Sequence, residues 1–373
     1  MSDYLGKDVF KLGFGLMRLP HTADGENDMP QIMEMADKFI AAGGTYFDTA
    51  YVYDGGKSEI AFREAVVKRY PRESFTIASK LFAAADKDGD FLRGEFDTTL
   101  ERTGAGYIDF YLLHNINTNS LPIFDREDIW GYVKGLKEKG LVKHWGFSFH
   151  DMPELLDQVL TDHPDVEFVQ LQINYADMEA ANVKSRACYE VCRKHGKPVV
   201  IMEPVKGGAL ADPIPAVKEI FKAADPDMSP ASWAVRYAAS MEGIITVLSG
   251  MSTLEQMEDN LSYMKEFKPL TEEEYKVIDA VMEEMKKVES IPCTSCKYCV
   301  EGCPMEINIP RIFAARNKQL IYNAIAGGQR DYGFATKDKG KASDCVGCGQ
   351  CESVCPQHLP IIELLQEMAK VFE

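Results

Sequence analysis

Eight short apolar runs recur along the first part of this chain, with helix-like segments filling the gaps between them. The runs are Lys11–Met17, Thr45–Thr49, Phe75–Ser79, Ile108–Leu113, Lys143–Ser148, Phe168–Ile173, Pro198–Met202 and Ile244–Leu248. Amphipathic stretches such as Lys57–Tyr70, Phe91–Gly104, Glu127–Gly140, Ala180–His195 and Leu254–Phe267 lie between them. This alternation is the pattern of βα units feeding a parallel sheet. Most runs are apolar almost throughout, as in Tyr111-Leu112-Leu113 and Val199-Val200-Ile201, which suits a sheet covered on both faces. Eight such units predict an α/β fold, a closed (β/α)8 TIM barrel. The competing architecture is an open doubly wound sheet. No run is followed by a Gly-x-Gly-x-x-Gly turn opening a helix, so the dinucleotide fingerprint of that sheet is missing.

A last helix, Glu272–Val288, closes this body, and composition changes at Glu289-Ser290-Ile291-Pro292. We expect a barrel over residues 1–288 and a compact second domain over 289–373. The chain carries 41 basic and 58 acidic residues, a formal net charge of −17. Basic and acidic residues balance in the tail, so the excess belongs to the body. That balance disfavours nucleic acid or an anionic membrane as partner, because phosphate binding needs surplus Lys and Arg. No apolar stretch is long enough to span a bilayer. Met1-Ser2-Asp3-Tyr4-Leu5 lacks the basic start and apolar core of an export signal, so a cytoplasmic location is expected.

Eight of the ten cysteines fall in the tail, in two runs of one spacing. The first is Cys293-x2-Cys296-x2-Cys299-x3-Cys303-Pro304, the second Cys345-x2-Cys348-x2-Cys351-x3-Cys355-Pro356. This is the [4Fe–4S] ligand spacing of bacterial ferredoxins, proline included. Three thiolates can wrap one face of a cubane while the fourth, on a turn redirected by proline, serves the other cluster. Cys293, Cys296, Cys299 and Cys355 are therefore assigned to one cluster, and Cys303, Cys345, Cys348 and Cys351 to the other. Disulfides would need an oxidising compartment, and zinc sites favour paired CxxC units with four ligands. The long stretch between the runs includes the helical-looking Ile309–Ala324, so the domain is similar to the mainly α-helical ferredoxin domains appended to redox enzymes. Cys188 and Cys192, at i and i+4 on a predicted helix, read as buried apolar thiols.

Active sites of (β/α)8 barrels lie at the C-terminal ends of the strands. Three consecutive runs end in titratable residues: Tyr46-Phe47-Asp48, Ile77-Ala78-Ser79-Lys80 and Leu112-Leu113-His114. A single such residue is commonly structural, but three in sequence point to a site.

The segments Gly43-Gly44-Thr45-Tyr46-Phe47-Asp48-Thr49-Ala50-Tyr51-Val52-Tyr53, Lys57-Ser58-Glu59, Ser79-Lys80 and Ile108–His114 resemble the aldo-keto reductases. Gly146-Phe147-Ser148, Gln172-Ile173-Asn174-Tyr175 and Gly250–Asn260 continue the likeness, which covers about residues 8–288. With two clusters appended, the chain resembles the subgroup called ferredoxin-domain aldo-keto reductases. The resemblance implies a tetrad of Asp48, Tyr53, Lys80 and His114. In it Tyr53 is the general acid, Lys80 (held cationic by Asp48) lowers the phenol pKa, and His114 orients the carbonyl oxygen. It also implies NADP(H) or NAD(H). Ser148 and Gln172, with Asn174 nearby, match positions that hold the nicotinamide carboxamide. Met202 replaces the aromatic that often stacks on the ring. Gly250 and Gln256 stand where many members carry a Lys and an Arg for the 2′-phosphate. Ser252, Thr253, Glu255 and Asn260 could bind the adenosine end, or simply cap and solvate a helix.

Clusters move single electrons whereas nicotinamide moves a hydride, and a flavin is the usual adapter. No flavin motif stands in this sequence, although a barrel can bind flavin phosphate without one. We expect an oxidoreductase interconverting a small carbonyl compound and an alcohol, with a one-electron carrier protein as a candidate partner. The alternatives are a ferredoxin-linked or flavin-assisted enzyme that does not use nicotinamide directly, and a redox-responsive nucleotide-binding protein. Met17, Trp145 and Phe149 are candidates for a partly aromatic substrate pocket, with core packing as the other explanation.

Overall fold

In the computed structural model, residues 4–83 and 87–373 are described. Eight parallel strands close into a barrel in chain order. They are β1 (Leu12–Gly15), β2 (Tyr46–Asp48), β3 (Thr76–Phe82), β4 (Ile108–Ile116), β5 (Val142–Phe149), β6 (Phe168–Gln172), β7 (Val199–Met202) and β8 (Ile244–Ser249). β8 pairs back onto β1 through Leu12 and Val247. The helices of the barrel region are α1 (Met29–Ala41), α2 (Lys57–Phe62), α3 (Gly89–Thr103), α4 (Leu121–Arg126), α5 (Ile129–Glu138), α6 (Pro153–Asp162), α7 (Ser185–Lys194), α8 (Pro215–Ala224), α9 (Pro230–Ala239), α10 (Leu254–Met264) and α11 (Glu272–Lys286). None of the described helices is long and apolar enough to cross a membrane.

All eight predicted strands form, and the helices differ from expectation mainly at their starts. Lys57–Tyr70 is α-helical only to Phe62 and continues as a π turn over Arg63–Val67. Ala180–His195 begins at Ser185, because Lys184 is left-handed (φ 49°) and turns the chain. Glu127–Gly140 begins at Ile129, after a left-handed Asp128 whose carboxylate accepts from the Gly131 amide.

Alternation along the strands divides the barrel into layers, since successive side chains point to opposite faces. Tyr46, Ala78, Phe110, Leu112, Phe168, Val200, Ile245 and Leu248 form one buried apolar cluster. Two residues further along the strands come Asp48, Lys80, His114 and Met202. Period two therefore raises Asp48, Lys80 and His114 one layer above an apolar floor. Neighbouring strands set them side by side, with Asp48 opposite Ala78 and Phe82 opposite His114.

The chain divides into two compact units, Met1–Pro204 with Ser232–Thr271, and Val205–Ala231 with Glu272–Glu373. The first holds the whole barrel sheet. The second holds α8, α11 and the cysteine region, whose helices are α12 (Tyr298–Glu301), α13 (Ile309–Tyr322), α14 (Ile325–Thr336), α15 (Gln350–Ser353) and α16 (Ile361–Phe372). Its core is built on Ile307, Ile309, Ile312, Phe313, Ile361 and Leu365, with Cys299 and Cys351 in it and Cys293, Cys303, Cys345 and Cys355 packed against it.

Candidate functional site

Asp48 ends β2, but Lys80 and His114 lie inside their strands, not after them. β3 and β4 stay paired through Phe82 and His114, so both run past the predicted ends. The Lys80 ammonium donates to Asp48 Oδ1 at 2.6 Å and to the Thr49 carbonyl at 2.6 Å, and it is wholly buried. Asp48 Oδ2 is buried without a hydrogen-bond partner. The ammonium also stands 4.7 Å from the centroid of the Tyr53 ring. Tyr53 opens a short 3₁₀ turn, Tyr53–Gly56, whose next three residues are left-handed (φ 49°, 61° and 91°). Asp54 takes that conformation with a side chain attached, which costs more than it does at glycine. The turn brings the phenol back over the strand ends. The His114 ring meets Tyr53 edge-on at 5.7 Å, and His114 Nδ1 is buried without a partner.

The electrostatics follow from burial. It works against the Lys80 ammonium, but Asp48 and the Tyr53 oxygen outweigh it and hold the amine above the ordinary lysine value. Burial pushes the Asp48 carboxyl up, and Lys80 pulls it back only in part. Burial likewise raises the Tyr53 phenol, against the pull of Lys80. Lys80 thus acts on the phenol in the expected direction, yet the net position lies above ordinary tyrosine because desolvation is larger. His114 is pushed well below the usual imidazole range by burial and then by Lys80. At neutral pH Lys80 is an ammonium, Tyr53 a neutral phenol and His114 a neutral imidazole, with the Asp48 carboxyl bonded to the ammonium. Together they can donate a proton to an oxygen and orient it.

The other sequence candidates fall into two groups. Ser148 Oγ, buried, accepts from the Asn115 amide at 2.8 Å. Gln172 Nε2 donates to Asp177 at 2.8 Å. Asn174 donates to Asp177 at 2.7 Å and to the Glu203 carbonyl at 3.1 Å, while its Oδ1 accepts from the Ala176 and Asp177 amides. Both ends of the Asn174 amide are thus tied to its own loop and to the end of β7. Met202 Sδ is 3.5 Å from Gln170 Nε2. On the far side of β8, Thr253 caps α10, and the Ser252 amide donates to Gln256 Oε1 at 2.7 Å. Ser252 Oγ donates to the Arg18 carbonyl at 2.7 Å. Asn260 Oδ1 is buried with no partner. A Cβ on Gly250 would come within 3.5 Å of the Arg18 side chain. Arg18 in turn lies 3.8 Å from Glu203.

Sequence reasoning missed Arg18, Glu203 and Asp177. Arg18 ends the 3₁₀ turn that follows β1, and Glu203 directly follows β7, so charge at the ends of those strands marks both; nothing local marks Asp177. Trp145 is not a pocket residue. It packs at 6.3 Å from Trp130 of α5, on the outward face that alternation gives to Trp145 and Phe147, while Gly146 and Ser148 take the other face. Met17 is largely exposed, and Phe149 is buried.

In the second unit the cysteines line two cavities. One, of about 340 Å³, is lined by Cys293, Cys296, Cys299 and Cys355; the other, of about 320 Å³, by Cys303, Cys345, Cys348 and Cys351. Each takes three thiols from one run and the fourth from the other. Burial pushes the Cys299 and Cys351 thiols up to about 11, so a metal is needed to hold them as thiolates at neutral pH. Cys188 and Cys192 are both buried, away from these runs on α7.

This barrel with its ion-paired amine, phenol and imidazole, followed by thiol-lined cavities, defines a redox enzyme. The model of the Aldo/keto reductase family matches residues 11–283, and that of a 4Fe-4S dicluster domain matches residues 292–359. A probable aldo-keto reductase from Glycine max is 31% identical over 216 residues, 54% of this chain and 58% of that protein, so the chain spans less than two thirds of that relative. An uncharacterized oxidoreductase from Schizosaccharomyces pombe is 27% identical over 299 residues, 76% of this chain and 92% of that protein. An aldo-keto reductase from Klebsiella pneumoniae, solved in complex with NADPH, has the same fold, with a TM-score of 0.58 at 20% identity over 74% of this chain and 91% of its own. The chain belongs to the aldo/keto reductase family and carries a 4Fe-4S domain after its barrel.

Proposed function

We propose that the protein interconverts an aldehyde or ketone and the corresponding alcohol, with Tyr53 as general acid and NADPH or NADH as cofactor. The observation that carries this reading is the buried Lys80, 2.6 Å from Asp48 and facing the Tyr53 ring. When bound, the nicotinamide supplies hydride to the carbonyl carbon. Tyr53 donates its proton to the carbonyl oxygen as charge develops there. Lys80 stabilises the phenolate left behind, and Asp48 keeps Lys80 charged. Neutral His114 donates a hydrogen bond that sets the oxygen in place.

The residues fit a nicotinamide nucleotide. Asn260 Oδ1 is buried without a partner, and Ser148 and Gln172 lie at the ends of β5 and β6. Ser252, Thr253 and the bare Gly250 precede α10, and Gln256 lies in its first turn. Met202 would face the ring, whereas Asn174 would position β6 against β7. NADPH is the first choice because the Klebsiella relative was solved with it.

The two cysteine quartets fit two [4Fe–4S] clusters with crossed fourth ligands. Each surrounds a cavity, with three thiols from one run and one from the other. We take residues 289–373 as the cluster domain and 1–288 as the barrel domain, working in a reducing compartment with a one-electron carrier as partner. The test is Tyr53→Phe in cluster-loaded protein, assayed with NADPH and a simple aldehyde. Turnover should fall about 10²–10⁴-fold with NADPH binding kept; unchanged turnover would refute the role of Tyr53.

A further inference from the structure

The two halves of the cluster unit share one backbone but not one set of side chains. Left-handed residues recur at matching places: Ser295 and Gly347 (φ 57° and 68°), Lys297 and Gly349 (67° and 76°), and Glu306 and His358 (both 51°). Each run passes through a four-residue helix, α12 or α15, and then into α13 or α16. Against the cavity of Cys293, Cys296, Cys299 and Cys355 stand Thr294, Lys297 and Gln357. The matching positions against the other cavity are Val346, Gly349 and Met305. Each of these three polar side chains has an apolar or absent counterpart; Gln350 is the polar side chain on the second cavity, and its matching position, Tyr298, lines neither.

Two further differences have the same sign. Ser295 carries a hydroxyl two residues after Cys293, whereas the matching Gly347 has none. Glu352 directly follows Cys351, and its carboxylate accepts at 2.9 Å from the amide of Ile362, which lines the same cavity, whereas the matching residue of the first run is Val300. Glu301, on the same short helix as Cys299, is exposed and lines neither cavity. Reduction adds one negative charge to a cubane. Donors to its sulfurs and a nearby cation stabilise that charge; an apolar lining and a nearby carboxylate oppose it.

We propose that the two cluster sites differ in reduction potential, with the site of Cys293, Cys296, Cys299 and Cys355 the higher. Ile309 lines both cavities, so the two sites are close neighbours. An electron on the cluster held by Cys303, Cys345, Cys348 and Cys351 then passes downhill: that cluster is oxidised by one electron and its neighbour is reduced by one. The inference rests on the reading of the two quartets as two clusters.

The test is an anaerobic, EPR-monitored potentiometric titration of the full-length, reconstituted protein, its iron content measured first. Lys297→Gly and Ser295→Gly copy the second run, so they keep a backbone that glycine adopts freely. The wild type should hold about eight irons and reduce in two one-electron waves. Lys297 is exposed and therefore screened, so Lys297→Gly should lower the upper wave by about threefold in its reduction equilibrium, about 28 mV. Adding Ser295→Gly should bring the shift to about tenfold, about 59 mV, with the lower wave unmoved. Raised salt should shrink the Lys297 part alone. Eight irons with a single wave, or a shift confined to the lower wave, overturns the inference. About four irons in the wild type overturns the two-cluster reading beneath it.

Discussion

Replacing Lys80 with Met should destabilise the barrel by about 3–5 kcal/mol, the range for breaking a buried ion pair from one side. The structure gives the reason. Asp48 is 3% exposed, its Oδ1 would lose the ammonium at 2.6 Å, and its Oδ2 has no partner to fall back on. At about 2–4 °C per kcal/mol for domains somewhat smaller than this, the midpoint should drop by roughly 6–20 °C. The loss should depend on pH. Burial already raises the Asp48 carboxyl and Lys80 is what opposes it, so in the variant the folded-state value rises further above the unfolded value near 3.9. A group raised in this way favours the folded state at low pH and loses that contribution as pH climbs through its folded value. The deficit should therefore be large at pH 8 and smaller near pH 4.5. Adding Asp48→Asn should recover most of it. All three tryptophans, Trp130, Trp145 and Trp233, lie in the barrel unit, so urea unfolding followed by tryptophan fluorescence reports that unit alone. Equal deficits at the two pH values, or an Asp48→Asn loss that simply adds to the first, would refute the reasoning.

Three other outcomes are expected. Glu95 is 2% exposed, and burial pushes its carboxyl up to about 7 even though it accepts from the Phe82 amide. Its contribution is therefore present at pH 4.5 and lost as pH rises through 7, so Glu95→Gln should stabilise the barrel by about 1–3 kcal/mol at pH 8 and by little at pH 4.5, read from urea midpoints. Cys355→Ser should remove the cluster of the first run, not that of its own run, leaving about four irons; the surviving EPR signal should shift when Glu352 is changed. NADPH added anaerobically without a carbonyl should leave the visible iron–thiolate absorption unchanged, because no flavin motif supplies an adapter between hydride and one-electron chemistry; bleaching would show one.

The strand pattern was legible because both faces of each strand are covered, which makes every run apolar. Asp48, Lys80 and His114 were visible as polar residues closing such runs. Periodicity cannot say where pairing stops, however, and so β3 and β4 were read too short. Arg18, at the end of the turn after β1, and Glu203, directly after β7, are single charges outside the three consecutive runs that end in titratable residues. Asp177 could not be seen, since its importance depends on Gln172 and Asn174 reaching it across a turn. Helices α6, α8 and α9 each start at a proline, Pro153, Pro215 and Pro230, a start signal available in the sequence. The spacing of the two cysteine runs was legible in the sequence, and each of two cavities takes three thiols from one run and one from the other. The contrast between Lys297 and Gly349 became meaningful only once the cavity linings were known.

The most direct measurement is deuterium transfer from C4-deuterated NADPH to a simple aldehyde, followed by mass spectrometry of the alcohol, in cluster-loaded wild type and Tyr53→Phe. The wild type should place one deuterium on the carbinol carbon, and the variant should form almost no such alcohol. Alcohol formed without deuterium from either face of C4, or formed equally well by Tyr53→Phe, would contradict hydride transfer with Tyr53 as general acid.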